Sequence, residues 1–274
     1  MQKQLYKLFF IASLLLATSS FAYSIDPSSK EDEQRIKQPV RKKDILDINS
    51  IKNKHLDISY APISEAQKLD IYLPDEKKEK YPVIIFIHGG AWMSGDKREN
   101  FSLPILRGLK EGYAVISINY RLSGEATFPA AIEDVKAAIR FIRANANKYN
   151  LDVEQITLFG RSSGANLATL AGVTSGTTKF DNPELGNSDV SSSVHTVVAW
   201  FPPINLLTMD KELINLGIRP QLRGATVEDP NQPVSDEVHG AADSPASLYM
   251  GRKLSEVPGK SSRMRTAATG WRTG

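Results

Sequence analysis

No cysteine occurs in the 274-residue chain, and there are only four histidines. The first absence excludes disulfides, thiolate metal sites and a lipid-anchored cysteine at a mature N-terminus. The second narrows any search for a general base to four positions. An excess of one charge is also missing, with 34 Lys and Arg against 31 Asp and Glu. That balance gives no electrostatic case for nucleic acid or an anionic membrane as partner. There is no internal repeat, phosphate-binding loop or clustered metal-ligating motif, so neither a cofactor nor a metal is expected. The most apolar stretch near the start, Leu8 to Ala17, is shorter than the roughly 18 residues a spanning helix needs. With Lys3 and Lys7 before it and Ser20-Phe21-Ala22 after it, the stretch reads as residues 1–22 of a cleaved secretory signal. The mature protein is expected to begin near Tyr23, to be secreted or periplasmic, and to be nearly neutral.

What is present points to one α/β core. The composition, 41% hydrophobic, suits a single sizeable domain. Residues 23–50 are polar and mixed in sign, as in a solvated flexible leader. From residue 51 strand and helix patterns alternate. "KLDIYLP" alternates polar and apolar residues, while "PVIIFIHGG" and "YAVISINY" are nearly continuous β-branched runs, as in strands buried on both faces. "QITLFG" and "VHTVVAWF" are further strands. In "AAIEDVKAAIRFIRANANKYN", Ala131, Val135, Ala138, Ile139 and Ile142 share one helical face. "SGANLATLAGV" reads as a small-residue helix. Strands alternating with helices imply a mainly parallel sheet with helices on both faces.

Two motifs carry chemistry. "GRSSG" places Ser162 in the spacing G-x-S-x-G, directly after a predicted strand and before a predicted helix. In such an elbow the serine adopts a strained backbone, Gly160 and Gly164 avoid the clash a β-carbon would cause, and the Ser163 N–H can face a developing oxyanion. "HGGAW", His88 to Trp92, follows the strand "VIIFI" and exposes backbone donors above its end.

Together with "NYRLSGEATFPAAIEDVKAAIRFIRANANKY", these motifs resemble α/β-hydrolase esterases of the hormone-sensitive-lipase-like group, and within it the branch of bifunctional feruloyl and acetyl-xylan esterases. The resemblance spans roughly residues 51 to 250. It implies an α/β-hydrolase fold, Ser162 as nucleophile, and Gly89, Gly90 and Ser163 as the oxyanion hole. The elbow reads S-S-G-A where that family usually has S-A-G-G. Substrates of the family are small-molecule or carbohydrate esters.

The acid and base of a triad are not found. In this fold they follow the serine in the order acid, then histidine. Only His195 and His239 come after Ser162. His195 opens a core strand, at the end of the sheet away from the chemistry. His239 lies in a loop, with Asp236 and Asp243 as the candidate acids to orient it. His88 is expected to hold a structural hydrogen bond and His55 to be solvated. The end, "GKSSRMRTAATGWRTG", has no β-branched run, carboxylate or histidine. Residues 51–258 therefore read as an incomplete hydrolase domain lacking its C-terminal strands, and 259–274 as a non-family tail. That reading leaves "VHTVVAWF" as an apolar sheet edge. Arg121 and Asp134 are expected to form a structural ion pair and Asp96 a turn, while Arg161 gets no functional role. Function then stands as an esterase, impaired in this chain. The alternatives are a catalytically dead remnant or binding protein, and a small-amide hydrolase or peptidase sharing the elbow.

Overall fold

The strands of the computed structural model are β1 (Lys54–Ser59), β2 (Lys68–Tyr72), β3 (Tyr81–Ile87), β4 (Ala114–Ile118), β5 (Leu151–Arg161) and β6 (Thr196–Trp200). They form one six-stranded sheet in the order β1-β2-β4-β3-β5-β6. The β1–β2 and β2–β4 pairs are antiparallel, and β4, β3, β5 and β6 run parallel. The structure describes residues 48–99, 103–220 and 238–256. Of the two compact units into which the chain divides, residues 1–45 and 46–274, these all belong to the second. The expected signal segment 1–22, the leader through residue 47 and the tail 259–274 lie outside the described residues. Residues 48–50 form a 3-10 turn leading to buried Ile51.

The apolar runs fill both faces of the sheet. Ile71, Ile116, Ile85 and Leu158 stand side by side across β2, β4, β3 and β5, all fully buried. Each such side chain stabilises the fold by about 1.5–3 kcal/mol. Helix α1 (Ala130–Ala144) and helix α3 (Ser163–Val173) pack on this face. On α1 the five residues expected to share a face are all buried. A one-turn helix α2 (Ala146–Tyr149) follows, closed by Asn150 in the left-handed conformation, and leads into β5. On the opposite face Tyr72 and Val115 meet Ile51 and Leu106, the last from the 3-10 segment Leu103–Glu111.

Two elements differ from the pattern read in the sequence. β5 begins at Leu151 rather than near Gln155, because the register shifts between Pro82 and Val83 and the exposed Glu154 and Gln155 bulge outward. Pro82 cannot donate a ladder hydrogen bond, and such positions favour bulges. β6 is the last strand of the described sheet and is only half-buried. Trp200 is 47% exposed and the following Phe201 82% exposed, and β5 is the one strand that pairs with β6 among the described residues.

Candidate active site

Ser162 is the single residue between β5 and α3, with φ +53° and ψ −122°. Such a conformation costs an ordinary residue about 1–3 kcal/mol and persists only where its surroundings hold it. Three bonds do so. The Ser162 N–H donates to Trp200 O at 2.7 Å, and its carbonyl accepts from the Asn166 N–H at 3.0 Å. Asn166 Nδ2 in turn donates to Pro203 O at 2.9 Å. The glycines on either side have steric reasons. A Cβ on Gly160 would stand 2.3 Å from Gly164 O, and one on Gly164 would stand 2.2 Å from Ile87 O and 2.3 Å from His88 O. The second contact seats the start of α3 against the end of β3, where the other motif begins.

That motif folds into a tight loop beside the serine. A Cβ on Gly89 would lie 3.3 Å from Ser162 Cβ and 3.0 Å from Arg161 O. Gly90 has φ +113°, and Ala91 and Trp92 also take positive φ. The resulting turn returns the Met93 and Ser94 N–H groups to Gly90 O at 3.0 and 3.1 Å. His88 is buried and stacks on Tyr120, ring centroids 4.4 Å apart. Burial lowers its pKa, so the ring is neutral, and its Nδ1 contacts Gly89 O at 2.8 Å. A carbonyl acceptor there puts the ring proton on Nδ1. Because C=O and N–H point opposite ways across a trans peptide, fixing Gly89 O also fixes the direction of the Gly90 N–H. Tyr120 Oη donates to His88 O at 3.1 Å.

The structure thus brings Ser162, Gly89, Gly90 and Ser163 together. Ser163 is buried and is the first residue of α3, where backbone N–H groups have no partner within the helix and favour negative charge.

All four histidines are described, and none bonds to the Ser162 hydroxyl. His88 is bound as above. His195 donates its N–H to Ile156 O, six residues before Ser162 and about 20 Å away at the usual strand rise. His55, in β1, packs edge-on against Tyr149. His239 is the most interesting of them. Its Nδ1 bonds Asp210 Oδ1, and its N–H donates to Asp210 Oδ2 at 2.7 Å. The sequence had offered Asp236 or Asp243 as its partner. Asp236 lies outside the described residues and Asp243 is exposed, while Asp210 is buried at the second position of α4 (Met209–Asn215). The loop then enters helix α5 (Pro245–Met250), whose Tyr249 stacks on Trp92 with centroids 4.5 Å apart.

The remaining polar residues are structural. Arg121 grips the fully buried Asp134 through Nε at 2.9 Å and Nη2 at 2.8 Å, and Gln67 Nε2 adds a bond of 2.7 Å. Asp134→Ala is expected to cost about 3–5 kcal/mol by stranding the guanidinium, read as a lower denaturation midpoint. An unchanged midpoint would refute that role. Asp96 caps a turn, accepting from the Arg98 N–H at 2.7 Å and Asn119 Nδ2 at 2.9 Å. Among the described residues no group of three or more His, Asp or Glu could hold a metal.

Comparison with known proteins agrees with this geometry. The BD-FAE family model matches residues 69–261. A probable carboxylic ester hydrolase of Mycobacterium tuberculosis, LipM, is 30% identical over 218 residues, which is 76% of this chain and 49% of that protein. A bifunctional GH43-CE structure from Bacteroides eggerthii is 36% identical with a TM-score of 0.63, covering 77% of this chain and 26% of that one. A truncated carbohydrate esterase from gut microbiota is 38% identical with a TM-score of 0.56, covering 61% and 62%. The chain spans about half the length of the curated relatives it matches.

Proposed function

Since the chain belongs to the BD-FAE family of α/β-hydrolase esterases, we propose that it is a serine-dependent carboxylic ester hydrolase acting on small esters or acylated carbohydrate. In this reading Ser162 Oγ bonds to the carbonyl carbon and passes its proton to solvent water, since no histidine bonds it. The carbonyl oxygen, now negative, is held by the N–H groups of Gly89, Gly90 and Ser163 until the alcohol leaves with a proton from water. Water then attacks the acyl-serine and releases the acid. The observation that carries the proposal is Ser162 in a left-handed conformation at the N-terminus of α3 with Gly89 against its side chain. Carbohydrate esters are favoured as substrates because a similar solved structure, 38% identical, is a carbohydrate esterase by title.

A second reading, a binding protein that keeps the pocket without turnover, has its own support, since no histidine bonds Ser162. A serine-directed fluorophosphonate separates the two. We expect at most slow labelling of the chain, confined to Ser162, and Ser162→Ala to abolish it. Equal labelling of wild type and Ser162→Ala would reject the nucleophile.

A further inference from the structure

Past Gly89 the oxyanion loop takes three positive φ angles in succession, +113° at Gly90, +55° at Ala91 and +59° at Trp92. Glycine adopts such angles freely, whereas a residue with a β-carbon is strained there and stays only where its surroundings hold it. Within the turn, the Met93 and Ser94 N–H groups bond Gly90 O. From outside, the Ser123 N–H donates to Trp92 O at 2.7 Å. None of these bonds holds the Trp92 side chain, which is only 3% exposed. What it packs against therefore decides how firmly the strained run is kept.

That neighbour is Tyr249 of α5, also 3% exposed. The two rings lie nearly parallel, 9° apart in plane with centroids 4.5 Å apart. Phe128 meets the Tyr249 ring edge-on at 5.8 Å, and its N–H donates to Tyr249 O at 2.8 Å. Ring and backbone of Tyr249 are thus both placed. The helix that presents it is fastened at each end. At its start Ser244 Oγ accepts the Ser247 N–H at 3.2 Å and donates to His239 O at 2.7 Å, while Ser247 Oγ donates to Gly240 O at 3.2 Å. At its end Gly251 turns out with φ +70°, so close to Thr127 that a Cβ would stand 3.1 Å from its side chain. Trp92 Nε1 and Tyr249 Oη are buried without a hydrogen-bond partner among the described residues. The contact is therefore carried by the ring faces, and the unpaired hydroxyl adds nothing to it.

We propose that Tyr249 is a positioning residue for the oxyanion loop, its ring holding Trp92 and thereby the positive-φ run that aims the Gly90 N–H. Tyr249 touches no reacting atom and acts only through Trp92. If the stack is lost, Ala91 and Trp92 can relax toward ordinary backbone angles and carry Gly90 with them. This rests on the reading of Ser162 as nucleophile and of Gly89 and Gly90 as its oxyanion donors. A displacement of 1 Å in such a site costs about 10²-fold in rate, which sets the expected effect.

The test compares the wild-type chain with Tyr249→Leu, Tyr249→Phe and Ser162→Ala. One arm measures kcat and KM for 4-nitrophenyl acetate. The other follows hydrogen exchange of the Met93 and Ser94 amides, which bond Gly90 O. Tyr249→Leu keeps an apolar side chain but no ring. It is expected to lower kcat about 10²-fold, with KM little changed, and to lose protection at both amides. Tyr249→Phe keeps the ring and is expected to retain wild-type kcat and protection. A Tyr249→Leu protein that is less stable yet keeps wild-type kcat and protection overturns the proposal, as does a loss in Tyr249→Phe equal to that in Tyr249→Leu. Should Tyr249→Leu fail to fold, exchange in the wild type decides. Met93 and Ser94 should then show the same urea dependence as Leu248 and Gly251, whose N–H groups bond within α5. Loop amides that exchange while α5 stays protected overturn the proposal. If wild-type turnover proves independent of Ser162, the hydrolase reading fails on its own, and the exchange arm decides whether Tyr249 holds the loop.

Discussion

Ester turnover by this chain is expected to level off about 10³–10⁴-fold above the water rate, the amount that an oxyanion hole and binding supply when a serine triad has lost a member. His239→Ala is expected to leave that rate unchanged. The argument is positional. His88 is committed to Gly89 O, His195 to Ile156 in the middle of β5 and His55 to a contact with Tyr149. His239 bonds Asp210 and makes no bond to Ser162. Added imidazole should therefore accelerate turnover in the wild type and do nothing for Ser162→Ala, since it supplies a proton acceptor that only the serine can use. The opposite outcome is equally informative. Fast turnover that His239→Ala abolishes would make His239 the base and Asp210 its orienting acid, with the loop after residue 237 swinging onto the elbow.

Gly164→Ala is expected to destabilise the fold by about 3 kcal/mol, the upper part of the range for overpacking. The new methyl would meet Ile87 O at 2.2 Å and His88 O at 2.3 Å. Both are backbone atoms and cannot rotate away, so either α3 lifts or the end of β3 moves. Movement of β3 would carry the Gly89–Gly90 loop with it, so residual turnover should fall together with stability. Gly124→Ala is the control, because its Cβ would meet nothing within 4 Å. Equal urea midpoints for the two variants would show that the elbow and the oxyanion strand are not packed as described.

Local patterns were legible in the sequence and long-range pairings were not. The elbow could be read because strand, turn glycines and helix are contiguous from Leu158 to Ala168. The buried face of α1 followed from a 3.6-residue period within one segment. Arg98 and Asp70 are 28 positions apart and meet only because β2 lies next to β4 in the sheet. Asp210 and His239 are 29 apart, and packing of α4 against the loop chose that carboxylate over nearer ones. The fold is therefore recoverable from periodicity and turn chemistry, whereas the electrostatics of the site depend on the order of strands.

The bond from the Ser162 N–H to Trp200 O ties the nucleophile's backbone to β6, a half-buried strand with one neighbour among the described residues. Strands of that kind open at lower free energy than the sheet interior. Each opening frees Ser162 from the contact that helps hold its left-handed conformation, and each closing restores it. The competent shape of the elbow thus has a lifetime, set by how often the edge of the sheet lets go.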